Sequence, residues 1–127
     1  MIENIAVGQS YSVTLTVSDK DTALAYGSGG LEVFATPAMI SLMEGAAYNL
    51  LKNEPCSIES VGIEINVAHT RACLVGAEVT AEAKVVAVDG KRVSFEITAG
   101  DKNGSIGSAT HIRYIIESEK FMQRVAK

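Results

Sequence analysis

Soft metal ligands are scarce in this chain. Two cysteines, Cys56 and Cys73, and two histidines, His69 and His111, are all it offers, with no CxxC spacing among them. A zinc site is therefore not expected. Both thiols are read as reduced residues, in or near the core of a cytoplasmic protein. Positive charge is short as well: 11 Lys and Arg stand against 15 Asp and Glu, for a net charge of −4. That balance argues against non-specific nucleic-acid binding. No apolar run reaches the roughly 20 residues of a membrane span. The opening Met1-Ile2-Glu3-Asn4-Ile5 has no basic region leading into an apolar stretch, so neither membrane attachment nor a secretory signal is expected. Internal repeats are missing too. What is there is 127 residues, 47% of them hydrophobic, enough for one core and too few for two. A single domain over residues 1–127 follows as the expectation.

Tyr11 to Val17 alternates with the two-residue period of a half-buried strand. Asp19 to Gly30 is small and polar and ends Gly27-Ser28-Gly29-Gly30, a flexible loop. A long helix is predicted from about Pro37 to Lys52, with Thr36 as its N-cap, Pro37 at the first helical position and Glu54-Pro55 closing it. Its side chains are apolar nearly all round (Met39, Ile40, Leu42, Met43, Leu50 and Leu51 among them), so it should be surrounded by protein. From Ser60 onward the period is two. Val61, Ile63, Ile65 and Val67 share one side of a first strand, and Val79, Ala81, Ala83, Val85 and Ala87 one side of a second. Arg92–Thr98 and Ile106–Glu117 follow, with turn signals at Asp89-Gly90 and Asn103-Gly104. Residues 118–127 read as a short terminal helix. A curved antiparallel sheet wrapped around one long buried helix is the α+β hotdog architecture. A single such layer leaves an edge and a face open, so at least a homodimer is expected.

Glu44 is the residue that helix formation does not explain. A carboxylate among Leu42, Met43, Ala46 and Ala47 is costly to bury unpaired, and a capping box would need Glu or Gln where Met39 stands. A lone acid in such a place is a functional candidate. His69 ends the strand whose parity it shares with Val61, Ile63, Ile65 and Val67, so it should face the core. His111 is read as a surface histidine.

The order and spacing of several short motifs then resemble one family. Gly30-Leu31 leads into Ala35-Thr36-Pro37-Ala38-Met39 and Leu42-Met43-Glu44. Val61-Gly62 is followed seven residues on by His69, and Val75-Gly76, Val88-Asp89-Gly90-Lys91, Ile106-Gly107 and His111-Ile112-Arg113-Tyr114 continue the match. From Tyr11 onward the chain resembles the hotdog thioesterases of the fluoroacetyl-CoA-specific type. The resemblance implies an acyl-CoA hydrolase that needs no cofactor and no metal, coenzyme A being part of its substrate. It assigns Thr36, Glu44 and His69 as catalytic, matches a glycine to Gly62, and matches a basic residue to Arg113, which would meet a phosphate or the pantetheine arm. Thr70-Arg71-Ala72-Cys73-Leu74-Val75-Gly76 departs from the family's run after the histidine, and Glu32-Val33-Phe34 departs from its fluoroacetate-discriminating members, so fluoroacetyl specificity is not implied.

Thioester hydrolysis needs a seat for the developing oxyanion, a nucleophile and a proton for the departing thiolate. Ala38 and Met39 carry the first free N–H groups behind Pro37, at the positive end of the helix dipole. Glu44 lies about 12 Å along the helix axis from Thr36 and about 80° around it. Poorly solvated, it would either activate water or attack the thioester itself. His69 would polarise the carbonyl, or hold Glu44 or Thr36 and shuttle a proton. Arg71, Lys91 and Arg92 could draw the nucleotide end, although charged hairpins are ordinarily just soluble surface. The expected function is hydrolysis of a small or medium acyl-CoA. The rival is a hotdog protein that binds acyl-CoA without cleaving it. A hotdog hydratase would want a histidine at the central helix, which has none.

Overall fold

The computed structural model describes residues 2–127. Strand β1 (Ser10–Thr16) and a short helical turn, α1 (Ala23–Tyr26), precede the long helix α2 (Thr36–Lys52). Strands β2 (Ser60–His69), β3 (Glu78–Asp89), β4 (Arg92–Asp101) and β5 (Gly104–Ile115) follow, and helix α3 (Ser118–Val125) ends the chain. The five strands form one antiparallel sheet in the order β1-β3-β4-β5-β2. This is the curved sheet around a central helix that the residue pattern called for. The loop expected over Asp19–Gly30 contains α1, whose Thr22 cap accepts from the Ala25 N–H at 3.2 Å.

Alternation decides what faces α2. Val79, Ala81, Ala83 and Val85 of β3 and Val93, Phe95 and Ile97 of β4 are all buried, while Glu78, Thr80, Glu82, Lys84 and Glu96 point to water. The small alanines let the helix lie close to the sheet. Met39, Met43, Ala46, Ala47 and Leu51 press down from α2 and are fully enclosed. Gly107 of β5 is part of the same fit, since a Cβ there would sit 2.9 Å from the Met39 sulfur and 2.7 Å from the Ala68 carbonyl. Burial of this cluster is the main stabilising term.

Three register shifts interrupt the ladder: besides one at Ala99–Gly100 in β4, two break the alternation read from the sequence. One falls between Val85 and Ala87 in β3 and turns Ala87 outward. The other falls between Gly62 and Glu64 in β2, where Gly62 pairs with Arg113 and Glu64 already pairs with Ile112. The extra residue, Ile63, is 47% exposed, and Ser60, not Val61 or Ile63, shares the inward side with Ile65, Val67 and His69. A bulge inserts one residue and so inverts parity upstream of itself, which strict alternation along Val61–Val67 could not anticipate. Cys56 and Cys73 are both free and buried.

The entry to α2 is held from outside the helix. The Ala35 N–H donates to the Asp21 carbonyl at 2.9 Å and the Phe34 N–H to the Cys73 carbonyl at 2.8 Å. Asp21 is itself fixed by Ser18, whose N–H and hydroxyl donate to its carboxylate at 2.9 and 2.8 Å.

Candidate active site

Thr36 is not the helix cap. Ala35 occupies that position without a side-chain bond, and Thr36 begins the helix with Pro37 behind it. The threonine hydroxyl is therefore free of capping duty and lies 2.9 Å from His69 Nδ1 at the far end of β2. Phe34 meets the imidazole edge-on, with ring centroids 6.3 Å apart at 78°. The other ring nitrogen, Nε2, is buried with no hydrogen-bond partner. Burial pushes the His69 pKa below its ordinary 6.5, with the Arg71 backbone acting weakly the other way. The ring is thus kept neutral, with Nδ1 engaged by the Thr36 hydroxyl and Nε2 left without a partner among the described residues.

These two residues line a cavity of about 260 Å³, with Ala23 and Ser28 on one side and Arg71 and Ala72 on another. Of the two backbone donors expected at the helix start, one is already used: the Met39 N–H donates to the Ala35 carbonyl at 3.0 Å, and Met39 is wholly buried. The Met39 N–H is thus engaged within the fold, and no partner of the Ala38 N–H is found among the described residues. Arg71 is also committed. It pairs with Asp101 at 2.5 Å and donates to the carbonyls of Gly104 and Ser105 at 2.8 and 3.3 Å, pinning the β4–β5 hairpin.

Glu44 lies elsewhere in the same chain. A Cβ on Gly62 would be 2.9 Å from its carboxylate Oε2, 3.1 Å from the His111 ring and 3.3 Å from Arg113 Nη1. The acid accordingly looks onto the bare backbone of Gly62, with the Arg113 guanidinium near enough to feel its charge. Gly62 and His69 stand at opposite ends of β2, roughly 20 Å apart along the strand, while Thr36 and Glu44 stand about 12 Å apart along α2. One copy of the chain brings Thr36 to His69 and Gly62 to Glu44, but does not bring the two pairs together.

Arg113 and His111 correct two expectations. Arg113 is 6% exposed. Its Nε donates to the Ser60 hydroxyl at 2.8 Å, its Nη2 to the Ser60 carbonyl at 3.1 Å, and it lies over the Tyr48 ring at 5.6 Å. It is thus an internal cation and not a free seat for phosphate. Burial lowers its pKa, and the carboxylates of Glu44 and then Glu59 oppose that. His111 is 1% exposed and not a surface residue. A guanidinium only donates, so His111 Nε2, 3.2 Å from Arg113 Nη1, accepts, and the ring proton resides on Nδ1, which donates to the Glu64 carbonyl at 2.8 Å. Sequence reasoning missed this network of Ser60, Tyr48 and His111 behind Glu44. The signal for His111 was the alternation Ala109, His111, Arg113, Ile115, all four buried.

Comparison with known proteins bears on this geometry. The family model for the fluoroacetyl-CoA-specific thioesterase matches residues 17–119. The fluoroacetyl-CoA thioesterase of Streptantibioticus cattleyicolor is 42% identical over 96 residues, which cover 74% of this chain and 68% of that protein. Among solved structures, a threonine-to-serine mutant of the fluoroacetyl-CoA thioesterase in complex with acetyl-CoA superposes with a TM-score of 0.86 at 34% identity, over 96% of this chain and 97% of the other. A hot-dog-like protein from Thermanaerovibrio acidaminovorans gives 0.85 at 26% identity, over 97% and 92%.

Proposed function

This chain belongs to the fluoroacetyl-CoA-specific thioesterase family and is an acyl-CoA thioester hydrolase, and from that premise we propose that it cleaves a small acyl-CoA at a site shared between two copies of itself. The observation that carries the reading is His69: one nitrogen is held by Thr36 at 2.9 Å, the other is buried without a partner, and the two residues line a cavity of about 260 Å³. A short acyl group suits that volume. The thioester carbonyl oxygen would take the Ala38 N–H at the helix start, where the dipole favours its developing charge. His69 and the Thr36 hydroxyl would sit beside the carbonyl and pass a proton to the leaving thiolate.

The Glu44 carboxylate would reach the same carbonyl from the second copy. Strand β2 is an edge of the sheet, and an edge is satisfied by pairing with its like. Antiparallel pairing of β2 with the β2 of a twofold-related copy, centred on Ile65 or Asn66, runs the two strands in opposite directions and brings the His69 end of one copy near the Gly62 end of the other. The carboxylate lying on that Gly62 then faces the imidazole. There it would either deprotonate the attacking water or attack the carbonyl carbon and be released by water. In both routes the C–S bond breaks, the acyl carbon gains the oxygen of water, and the thiolate gains a proton. Both thiols are free and buried, which suits a reducing, cytoplasmic setting.

Release of free thiol from acetyl-, butyryl- and benzoyl-CoA, followed with a thiol reagent, tests the reading. Turnover falling from acetyl to benzoyl is expected. Thermal protection by all three esters with none cleaved would leave a binding protein instead.

A further inference from the structure

The basic residues of this acidic chain are unevenly spread. Lys91, in the turn joining β3 to β4, and Lys120, Arg124 and Lys127, on and after α3, line one groove of about 460 Å³ beside Tyr114 and Ile116. One carboxylate, Glu117, shares the lining, and it pairs with Lys120 at 3.1 Å with both side chains largely in water. Three cations are left uncompensated there in a protein of net charge −4. The groove has a fixed frame. The Ile115 N–H donates to the Lys91 carbonyl at 2.8 Å, holding the turn to the end of β5, and the Ile116 N–H donates to the Glu59 carbonyl at 3.1 Å, holding the root of α3 to the start of β2.

Its location gives it a use. In the antiparallel pairing of β2 with its copy, the Ser60 end of one copy lies near residues 70–72 of the other, because residue numbers run in opposite directions along the two strands. The groove beside Glu59 and Ser60 of one copy therefore opens next to Arg71 and Ala72 of the other, and those two residues rim the cavity that holds Thr36 and His69. We infer that this groove binds the phosphates of the coenzyme A moiety, the 3′-phosphate and the 5′-pyrophosphate, for a thioester seated in the opposite copy. The inference rests on the shared-site reading above. Physically, a polyanionic substrate is repelled by a chain of net negative charge, and a local cluster of Lys and Arg offsets that repulsion where the nucleotide must dock and raises the encounter rate. Arg71 and Arg113 do not serve, since both are already committed to protein partners.

The test compares the wild type with Lys120→Glu/Arg124→Glu, and separately with Lys91→Glu on the other wall. Circular dichroism should show unchanged folding for both, since the substituted side chains are at the surface. Calorimetric titration with coenzyme A itself, without turnover, is expected to give a Kd raised at least about tenfold in the double variant, the scale of a lost charge-assisted bond. Lys91→Glu should shift it in the same direction, and the wild-type Kd should rise with added salt. Pantetheine, which lacks the nucleotide, should not discriminate between wild type and variants. The ratio of kcat/KM on acetyl-CoA to that on S-acetylpantetheine should fall by a similar factor. Equal coenzyme A affinity in wild type and both variants, or no affinity in the wild type, overturns the assignment. Coenzyme A binding that depends on the groove in a protein cleaving no thioester would sink the hydrolase reading and keep the groove. Brisk cleavage with groove-independent binding would do the reverse.

Discussion

At the scale of single residues, Thr36 changes meaning between sequence and structure. Ahead of Pro37 it reads as a cap whose removal would cost about 1 kcal/mol. Ala35 holds that position, and the hydroxyl turns to His69. Thr36→Ala should therefore leave unfolding free energy within about 0.5 kcal/mol of wild type while lowering turnover on acetyl-CoA by more than tenfold, as denaturant titration and thiol release would measure. A stability loss without a loss of turnover would return the residue to capping. His111 carries a second expectation. Burial, and then the charge of Arg113, depress its pKa below 6.5, against the opposing pull of the Glu64 carbonyl and the Glu44 carboxylate. Below pH 6.5 the unfolded chain takes up a proton on this ring that the folded protein refuses. The stability it contributes is thus complete above pH 6.5 and drains as the pH falls from there toward the depressed folded value. Denaturant titrations at pH 7.5 and 5.5 should show a smaller difference for His111→Gln than for wild type, whatever the offset between them.

At the scale of elements, the helix from residue 36 or 37 to Lys52, all four later strands and both hairpin turns were legible, because each rests on a local period or a turn dipeptide. The same signals placed Thr36 at the start of an apolar helix and His69 at the end of an alternating strand, but the role given to them came from the family resemblance alone. The bulge at Gly62–Glu64 was not legible, since a single inserted residue leaves no mark in composition. Its consequences were hidden with it: Ser60 turned inward to receive Arg113, and the Glu64 carbonyl made available to His111. The cation near Glu44, Arg113, lay out of sight because it is 69 positions away on β5 and is buried only once β2 and β5 pair. Gly62 is where this local geometry can be probed. A methyl group there would come within 2.9 Å of the Glu44 carboxylate, and the carboxylate, at the end of a flexible side chain, is what would yield. Gly62→Ala should keep the melting temperature within a few degrees and lower kcat/KM by about 10²-fold, the usual consequence of moving a reacting group by an ångström. Unchanged kcat/KM would remove Glu44 from the chemistry.

At the scale of the whole molecule, the roughly 20 Å of β2 between Gly62 and His69 makes the number of copies a question about chemistry. His69→Ala and Glu44→Gln should each lose at least about 10² in turnover. Mixed and re-annealed, the two should regain about a quarter of wild-type activity, since half of the random pairs are mixed and each mixed pair holds one complete site. No recovery would mean that each chain is self-sufficient. The unpaired outer rim of β2 has a kinetic corollary. If catalysis happens only across that seam, then serial dilution of the protein should at some point make the rate fall with the square of its concentration, and adding inert, doubly substituted chains (His69→Ala with Glu44→Gln) should poison the native ones by drawing them into barren couples.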